Sequence, residues 1–340
     1  MNSVHAQSVA GAKKQQSVAG AKKQQSVAGA KEQQSAAEAK EQQSVAGAKE
    51  QTTLSDYLEL TKPGITLLVL FSMGIGFILG SGADISYLLL LHAAIGTLLI
   101  AGGTAAHNQF IERDLDKKMI RTVKRPLPAR KIKPAHALIY SLSLMVIGFL
   151  YLFFLVNPLT GLISAMTSFL YLAFYTPLKR VSYVNVMVGA VPGALPPVGG
   201  WVAASGSLFD PAAWILFAIV FLWQVPHVIA IAWLCNDDYR NAGFYMLPES
   251  DKSGFVSALT ILVCLILLLP VSYFLYSLGM NSPFYLAGAV AIGLVFLYFG
   301  LRFQLSRTKD NARKVLYGSL IYLPAVWIFI LADVLLNRLF

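Results

Sequence analysis

Nine long apolar runs constrain what this chain can fold into more than any other feature. A run of about 20 apolar residues can cross the hydrocarbon core of a bilayer as a helix, and only helices or closed barrels satisfy a lipid-exposed backbone. Because 56% of the 340 residues are hydrophobic, we predict an all-α integral membrane protein. The expected spans lie near residues 65–80, 87–107, 135–156, 159–175, 184–203, 211–233, 255–277, 284–303 and 315–336.

The basic residues between the runs predict the orientation. Nearly all Lys and Arg of the membrane part lie in the connections 109–134, 176–183, 234–254 and 304–314, whereas the alternate connections hold none. Basic loops stay on the cytoplasmic side of a membrane. We therefore expect a cytoplasmic N-terminus and, since the number of spans is odd, a C-terminus outside. This topology accounts for the net charge of +10, so we expect no nucleic-acid partner.

Residues 7–51 repeat a nonapeptide, QSVAGAKKQ, with small variations. Nine residues make about two and a half helical turns, so the valines of successive repeats fall on alternating faces. No continuous apolar stripe results, and such a segment cannot bury enough surface to fold alone. We predict a disordered cytoplasmic tail over residues 1–53 and a membrane domain over residues 54–340.

The fifth apolar run contains Pro192, Pro196 and Pro197 among glycines. Proline removes a backbone donor, and a broken membrane helix is tolerated where neighbouring helices or water satisfy the freed groups. We expect a broken, kinked helix that faces the protein interior or a cavity.

The segment NQFIERDLD after the second run contains a stripe of oxygen-bearing side chains. Asn108, Glu112 and Asp116 are spaced by four residues, so on a helix they share one face, whereas Asp114 points roughly the opposite way. Carboxylates beside a membrane are a functional-site hypothesis by default. Three such ligands suit Mg²⁺, which commonly binds a few carboxylates together with substrate phosphate oxygens.

Basic residues follow this stripe closely and could hold the same polyphosphate. They are Lys117, Lys118, Arg121, Lys124 and Arg125. The alternative interpretation is that they anchor a helix end and that the acidic residues only balance their charge.

Further polar groups lie on the same predicted side of the membrane. Lys62 precedes the first run, and YTPLKR ends in Lys179 and Arg180. His227 and Asp238 are 11 residues apart, about three turns, so they would face one way if the helix continues between them. A metal ion shared with the first stripe could bind this second group. Alternatively, residues such as His227 only hydrogen-bond between helices.

Two acidic clusters beside Lys and Arg, above an apolar helical cavity, favour a transferase that uses a lipid diphosphate. Metal ions can neutralise a diphosphate leaving group, and the cavity could take its hydrocarbon chain. The spacing of these residues does not name the acceptor.

Four motifs in order resemble the protohaem IX farnesyltransferases, or haem O synthases, of the UbiA-type intramembrane prenyltransferases. They are NQFIERDLD, M-x-RTxxRPLP (residues 119–128), YTPLKR and WQVPH…DDYRNAGFYMLP. The resemblance covers about residues 54–336. It implies a nine-helix bundle with a cytoplasm-facing active site in the inner membrane of a bacterium.

The resemblance also implies roles for individual residues. His227 stands where related quinone-precursor enzymes have an acidic residue, which favours a haem acceptor. The implied catalytic residues are Asn108, Glu112, Asp116, His227 and Asp238. The implied Mg²⁺ ligands are Asn108, Glu112, Asp116, Asp237 and Asp238. The implied diphosphate-binding cations are Lys62, Arg121, Arg125, Lys179 and Arg180, and the candidate haem contacts are His136, Gln224 and His227.

The reaction implied is transfer of farnesyl from farnesyl diphosphate to the 2-vinyl group of protohaem IX, with addition of water. Haem A synthase or a terminal oxidase would be assembly partners. Two alternatives remain: a sister enzyme with a quinone-precursor or chlorophyllide acceptor, and a transporter with a charged intramembrane site. Two matching broken helices, as an inverted repeat produces, would favour a transporter. Only one run here is interrupted by clustered prolines, so this evidence for a transporter is missing from the sequence.

Overall fold

Helices form almost the whole of the membrane domain. The computed structural model describes residues 52–339, with side chains as far as residue 336, so the predicted tail lies outside the described residues except for Thr52 and Thr53. In the described part, nine helical stretches are long and apolar enough to cross a membrane, which confirms the nine expected spans. The helices are α1 (Leu54–Leu60), α2 (Pro63–Gly80), α3 (Tyr87–Asp116), α4 (Pro134–Leu155), α5 (Pro158–Phe169) with a π-helical segment (Leu170–Tyr175) leading into α6 (Thr176–Leu178), α7 (Asn185–Ser205), α8 (Pro211–Leu234), α9 (Asn236–Ala242), α10 (Phe255–Ser277), α11 (Pro283–Leu305) and α12 (Lys309–Leu339).

Local sequence signals set where the spans begin. Proline has a preset φ and no N–H to leave unpaired in the first helical turn. The side chains of Asn157, Asp210 and Ser282 cap the free N–H groups of the turns that follow them. Five spans start at a proline, namely Pro63, Pro134, Pro158, Pro211 and Pro283.

Glycines bring α2 and α7 into close contact. A Cβ added at Gly76 would lie 1.9 Å from the carbonyl oxygen of Pro197, and one added at Gly200 would lie 1.9 Å from that of Met73. Helices in lipid associate through such close backbone packing at small residues, because lipid tails are as apolar as the side chains. Alanine at either position would force the two helices apart.

The proline-rich α7 is a continuous helix, so the predicted break is wrong. It extends from Asn185 to Ser205 with all three prolines inside it. Its interior position is confirmed: 67% of its membrane-crossing window is buried, and α2, α5 and α8 pack around it. Pro192 and Pro196 line a cavity. The surrounding helices hold the chain in helical geometry despite the missing donors.

Hydrogen bonds join three of the loops that carry basic residues, near residues 117–133, 179–184 and 243–254, and we call this part of the molecule the basic end of the bundle. The Asp238 carboxylate accepts a hydrogen bond from the Ile120 N–H at 2.9 Å. The Tyr245 N–H donates to the Lys179 carbonyl at 2.7 Å, and the Asn185 side chain donates to the Tyr245 carbonyl at 2.7 Å. These bonds tie the loop after α3 to α9, and tie the loop after α6 and the start of α7 to the loop after α9.

Candidate active site

The last turns of α3 carry the acidic stripe. The helix continues to Asp116, beyond the end near residue 107 expected from its apolar run. Asn108, Glu112 and Asp116 are therefore on one face of one helix, and all three are buried. Asp114 points away from them, with 66% of its side chain exposed, and pairs with Lys117 at 2.7 Å.

Each member of the stripe contacts a cation from a different part of the chain. These cations come from the loop before α2, the loop after α3 and the loop after α6. With Lys62 protonated, three positive charges face two carboxylates, which leaves the cluster with one excess positive charge and therefore suited to an anion. The pairs are Lys62 with Asn108 (3.1 Å), Lys179 with Glu112 (2.8 Å) and Arg125 with both oxygens of Asp116 (2.8 and 3.0 Å).

Lys62 occupies a strained backbone position. Its φ of 48° is in the left-handed region, which non-glycine residues seldom adopt outside functional sites. Burial, together with the positive charge of Arg125, lowers the pKa of its ammonium group to about 7. Lys62 is therefore poised to gain charge when an anion binds next to it.

Lys179 is held by both an acidic and an aromatic side chain. Its ammonium group lies 4.4 Å from the centre of the Tyr175 ring and 5.9 Å from that of Phe244. Burial lowers the pKa of Lys179, but the Tyr175 hydroxyl and the Glu112 carboxylate outweigh burial and raise the pKa overall. Lys179 consequently stays charged at every physiological pH.

A cavity of about 350 Å³ begins at Lys62 and continues into the bundle between α2, α3, α5, α7 and α8. Its walls are largely apolar or hydroxyl-bearing. A volume of this size is within the range of roughly 300–1,000 Å³ typical of small-molecule sites. The side chains that line it include Ile100, Thr104, Ile163, Tyr171, Val220 and His227.

The second motif is split between two helices, so the continuous helix that would turn His227 and Asp238 to one face is not formed. α8 ends at Leu234, and α9 begins at Asn236 after a non-helical Cys235. His227 lines the cavity, whereas Asp238 binds the loop after α3. Within residues 52–339, no group of three or more His, Cys, Asp or Glu side chains is arranged to hold a metal ion.

Several other expected residues make no hydrogen bond or ion pair with the stripe in the described part of the chain. Arg121 is exposed, donates to the Tyr239 hydroxyl at 2.8 Å and stacks on its ring. Asp237 and Arg180 are also exposed, and His136 is exposed at the start of α4 and does not line the cavity. Their functional roles stay predictions. Gln224 does line the cavity, opposite Gly193.

The structure adds residues that the sequence reasoning did not assign. The Thr176 hydroxyl accepts a hydrogen bond from the Asn108 amide at 3.2 Å, and Tyr171 and Tyr175 line the cavity below Lys179. Thr176 and Tyr175 belong to the YTPLKR motif, so their place in that motif could have identified them as site residues. Ser319, which contacts His227, belongs to none of the four motifs, so the sequence offered no reason to select it.

A bundle of membrane-spanning helices with cations gathered at the mouth of an apolar cavity is the architecture of an intramembrane prenyltransferase. The profile of the UbiA prenyltransferase family matches residues 69–327. The chain therefore belongs to the UbiA prenyltransferase family and is a multi-pass integral membrane protein.

Similar proteins of known name or structure agree with this assignment. The chain is 46% identical over 289 residues to the protoheme IX farnesyltransferase of Solibacter usitatus, covering 82% of this chain and 99% of that protein. A structure of digeranylgeranylglyceryl phosphate synthase superposes with a TM-score of 0.70 at 20% identity over 83% of this chain and 98% of that one. A UbiA homologue from Archaeoglobus fulgidus bound to GPP and Mg²⁺ gives a TM-score of 0.58 at 14% identity, covering 81% and 99%.

Proposed function

We propose that this protein transfers the farnesyl group of farnesyl diphosphate to the 2-vinyl group of protohaem IX, with water, giving haem O and diphosphate. The observation that carries the proposal is the three-cation cluster at the mouth of an apolar cavity that contains an imidazole. The similarity to protoheme IX farnesyltransferases supports the acceptor.

The diphosphate binds at the cation cluster. Lys62, Arg125 and Lys179 already converge on one helix face, so they need little reorganisation to receive an anion. Bound diphosphate would replace part of their present pairing with Glu112 and Asp116. Arg121, Lys117 and Lys124 lie on the following loop, where they attract the anion without belonging to the cluster.

The stripe fits Mg²⁺ by the chemistry of its donors. Asn108, Glu112 and Asp116 offer an amide oxygen and two carboxylates, all buried and on one face. Mg²⁺ prefers oxygen ligands and is commonly held by one or two carboxylates plus substrate phosphates. When bound, Mg²⁺ would neutralise charge that develops on the leaving diphosphate. Asp238 instead accepts hydrogen bonds from the Ile120 and Arg121 N–H groups at 2.9 and 3.4 Å, so we do not assign it to this ligand set.

The cations promote departure of diphosphate, which leaves with the electron pair of the C1–O bond. Lys62 and Lys179 stabilise that charge in surroundings from which the apolar walls exclude water. The π electrons of the haem vinyl group form the new bond to farnesyl C1. Water then adds to the resulting porphyrin-side cation and loses a proton, which gives the hydroxyl group of haem O.

The orientation is also part of the proposal. The basic end carries the cation cluster, and basic loops favour the cytoplasmic side. Farnesyl diphosphate would thus enter from the cytoplasm in a bacterial inner membrane, with the C-terminus outside. Haem A synthase or a terminal oxidase would be the downstream assembly partner, because each would use the haem product.

The test is pigment extraction from membranes that contain this protein, supplied with haem B, farnesyl diphosphate and Mg²⁺. We expect haem O by chromatography and mass spectrometry, none when farnesyl diphosphate is omitted, and about 100-fold less when Glu112→Gln replaces the native chain. Prenylated 4-hydroxybenzoate or chlorophyllide without haem O would overturn the proposal in favour of a sister enzyme.

A further inference from the structure

His227 is the imidazole that lines the cavity within the part of the chain the structure describes. Its Nδ1 lies 2.7 Å from the Ser319 hydroxyl of α12. Its ring stacks on Trp223, with centroids 5.2 Å apart and planes inclined by 20°. Trp223 is in turn fixed by donating its indole N–H to the Ser319 carbonyl at 2.6 Å. One residue of α12 therefore sets the position of both rings.

The hydrogen bonds determine which nitrogen of His227 carries the proton. The Ser319 hydroxyl lies 2.6 Å from the Leu316 carbonyl, and both this contact and the one to Nδ1 are short enough to require a hydrogen. A serine hydroxyl has a single proton, and the carbonyl can only accept. The serine thus donates to Leu316, and His227 Nδ1–H donates to the serine oxygen.

The lone pair of His227 is consequently on Nε2. Nδ1 is turned towards α12 and one ring face is covered by Trp223, so the parts of the ring that remain to line the cavity are the edge bearing Nε2 and the other face. Among the described residues, none is hydrogen-bonded to Nε2 and no carboxylate contacts the ring. A neutral imidazole whose other N–H is held by the protein is the usual form of a metal-binding histidine.

We propose that His227 Nε2 is the axial ligand of the iron of the haem substrate, and that Ser319 is the residue that positions it. The inference rests on the proposed function and names the atom by which the acceptor is held. Coordination of the iron would fix the porphyrin relative to the cation cluster, and with it the vinyl group that attacks farnesyl C1.

A second histidine in the chain has the same local geometry and provides a matched control. His107 Nδ1 lies 3.0 Å from the Ser141 hydroxyl, which donates to the Leu138 carbonyl at 2.9 Å. This pair links α3 and α4 and does not line the cavity. The histidine–serine pair alone is therefore ordinary helix packing, and the open cavity at Nε2 distinguishes His227.

The experiment compares haem with iron-free protoporphyrin IX on the full-length protein in nanodiscs. We expect the native protein to give the absorption and resonance Raman signature of imidazole-bound iron. His227→Gly should abolish that signature and weaken haem binding by about tenfold or more, with protoporphyrin IX binding unchanged, and added imidazole should restore the signature. Ser319→Ala should lower the iron–histidine stretching frequency and weaken haem binding by roughly tenfold. Ser141→Ala, the matched control, should change neither the iron–histidine stretching frequency nor the affinity for haem.

The outcomes separate this inference from the proposed function. Haem O formation together with an unchanged signature in His227→Gly would overturn the axial ligand and leave the proposed function intact. Loss of binding of both porphyrins in His227→Gly, without rescue by imidazole, would also overturn it, because packing would then explain the loss. A native protein that binds neither porphyrin and makes no haem O would remove both proposals.

Discussion

The sharpest prediction concerns Asp116, whose buried carboxylate has two competing explanations. Its side chain has no exposed surface, and both of its oxygens contact Arg125. It could serve Mg²⁺ and diphosphate, or it could only balance the charge of Arg125. Asp116→Asn nearly preserves the shape and keeps one oxygen that Arg125 can still contact, so the substitution removes the negative charge with little change in packing.

The charges of the cluster set the expected size of the effect. With Lys62 protonated, three cations and two carboxylates carry one excess positive charge, and Asp116→Asn raises the excess to two. A divalent cation would then bind beside a more positive cluster with one fewer negative ligand. We expect turnover to fall by about 100-fold or more, equivalent to at least roughly 2.7 kcal/mol of transition-state stabilisation. Glu112→Gln, next to Lys179, should have a similar effect.

The assay is haem O formation over a Mg²⁺ titration, with the amount of folded membrane protein measured for each variant. Asp116→Asn should also shift the Mg²⁺ dependence to higher concentration. Asp114→Asn is the matched control on the same helix, because Asp114 is exposed and pairs with Lys117. Exposed pairs contribute little, so its turnover should stay within about threefold of the native value.

A double mutant separates the two explanations. The readout is the Mg²⁺ dependence and not the turnover, because Arg125 itself belongs to the cation cluster. If Asp116 only neutralises Arg125, then Arg125→Gln should return the Mg²⁺ dependence of Asp116→Asn to that of the native protein, because neither partner is left unpaired. If Asp116 holds the metal, the double mutant should still need the higher Mg²⁺ concentration. A native Mg²⁺ dependence in the double mutant, or equal slight losses for Asp114→Asn, Glu112→Gln and Asp116→Asn, would refute the metal-binding interpretation of the stripe.

Three further predictions follow from other parts of the chain. Lys62 has a pKa of about 7 in the free protein, so its side chain loses its charge as pH rises through 7, and kcat/KM for farnesyl diphosphate should fall between pH 7 and 9. Lys62→Arg should flatten that pH profile. An identical profile in Lys62→Arg would contradict the assignment of Lys62 to diphosphate binding. Asp238→Ala should lower activity by roughly tenfold, because the loop after α3 loses its anchor, and proteolysis after Lys118 should become faster. Asp237 is exposed, so Asp237→Ala is the control and should leave the proteolysis rate unchanged. Equal proteolysis rates in the two variants would show that Asp238 does not anchor the loop. Deletion of residues 2–51 should leave haem O formation and membrane insertion within about twofold, because the residues of the site all follow position 51, and a loss of activity at normal protein level would assign the tail a role.

The sequence alone determined the number of spans and the identity of the acidic stripe. Both are local properties: a run of apolar side chains is long enough to cross the bilayer, and a spacing of four places Asn108, Glu112 and Asp116 on one helical face. The alternation of basic loops likewise brought the four motifs to one end of the bundle. The helical period could also foresee that Asp114 points away.

Only the tertiary structure decided which groups meet across the chain. Lys62, Arg125 and Lys179 are separated from their partners on α3 by 46, 9 and 67 residues, and no local period encodes such pairing. The continuous α7 and the break at Cys235 also depend on neighbouring helices, because packing overrides local signals such as proline. Ser319 contacts His227 from 92 residues away, so the tautomer of that histidine is a property of the assembled bundle.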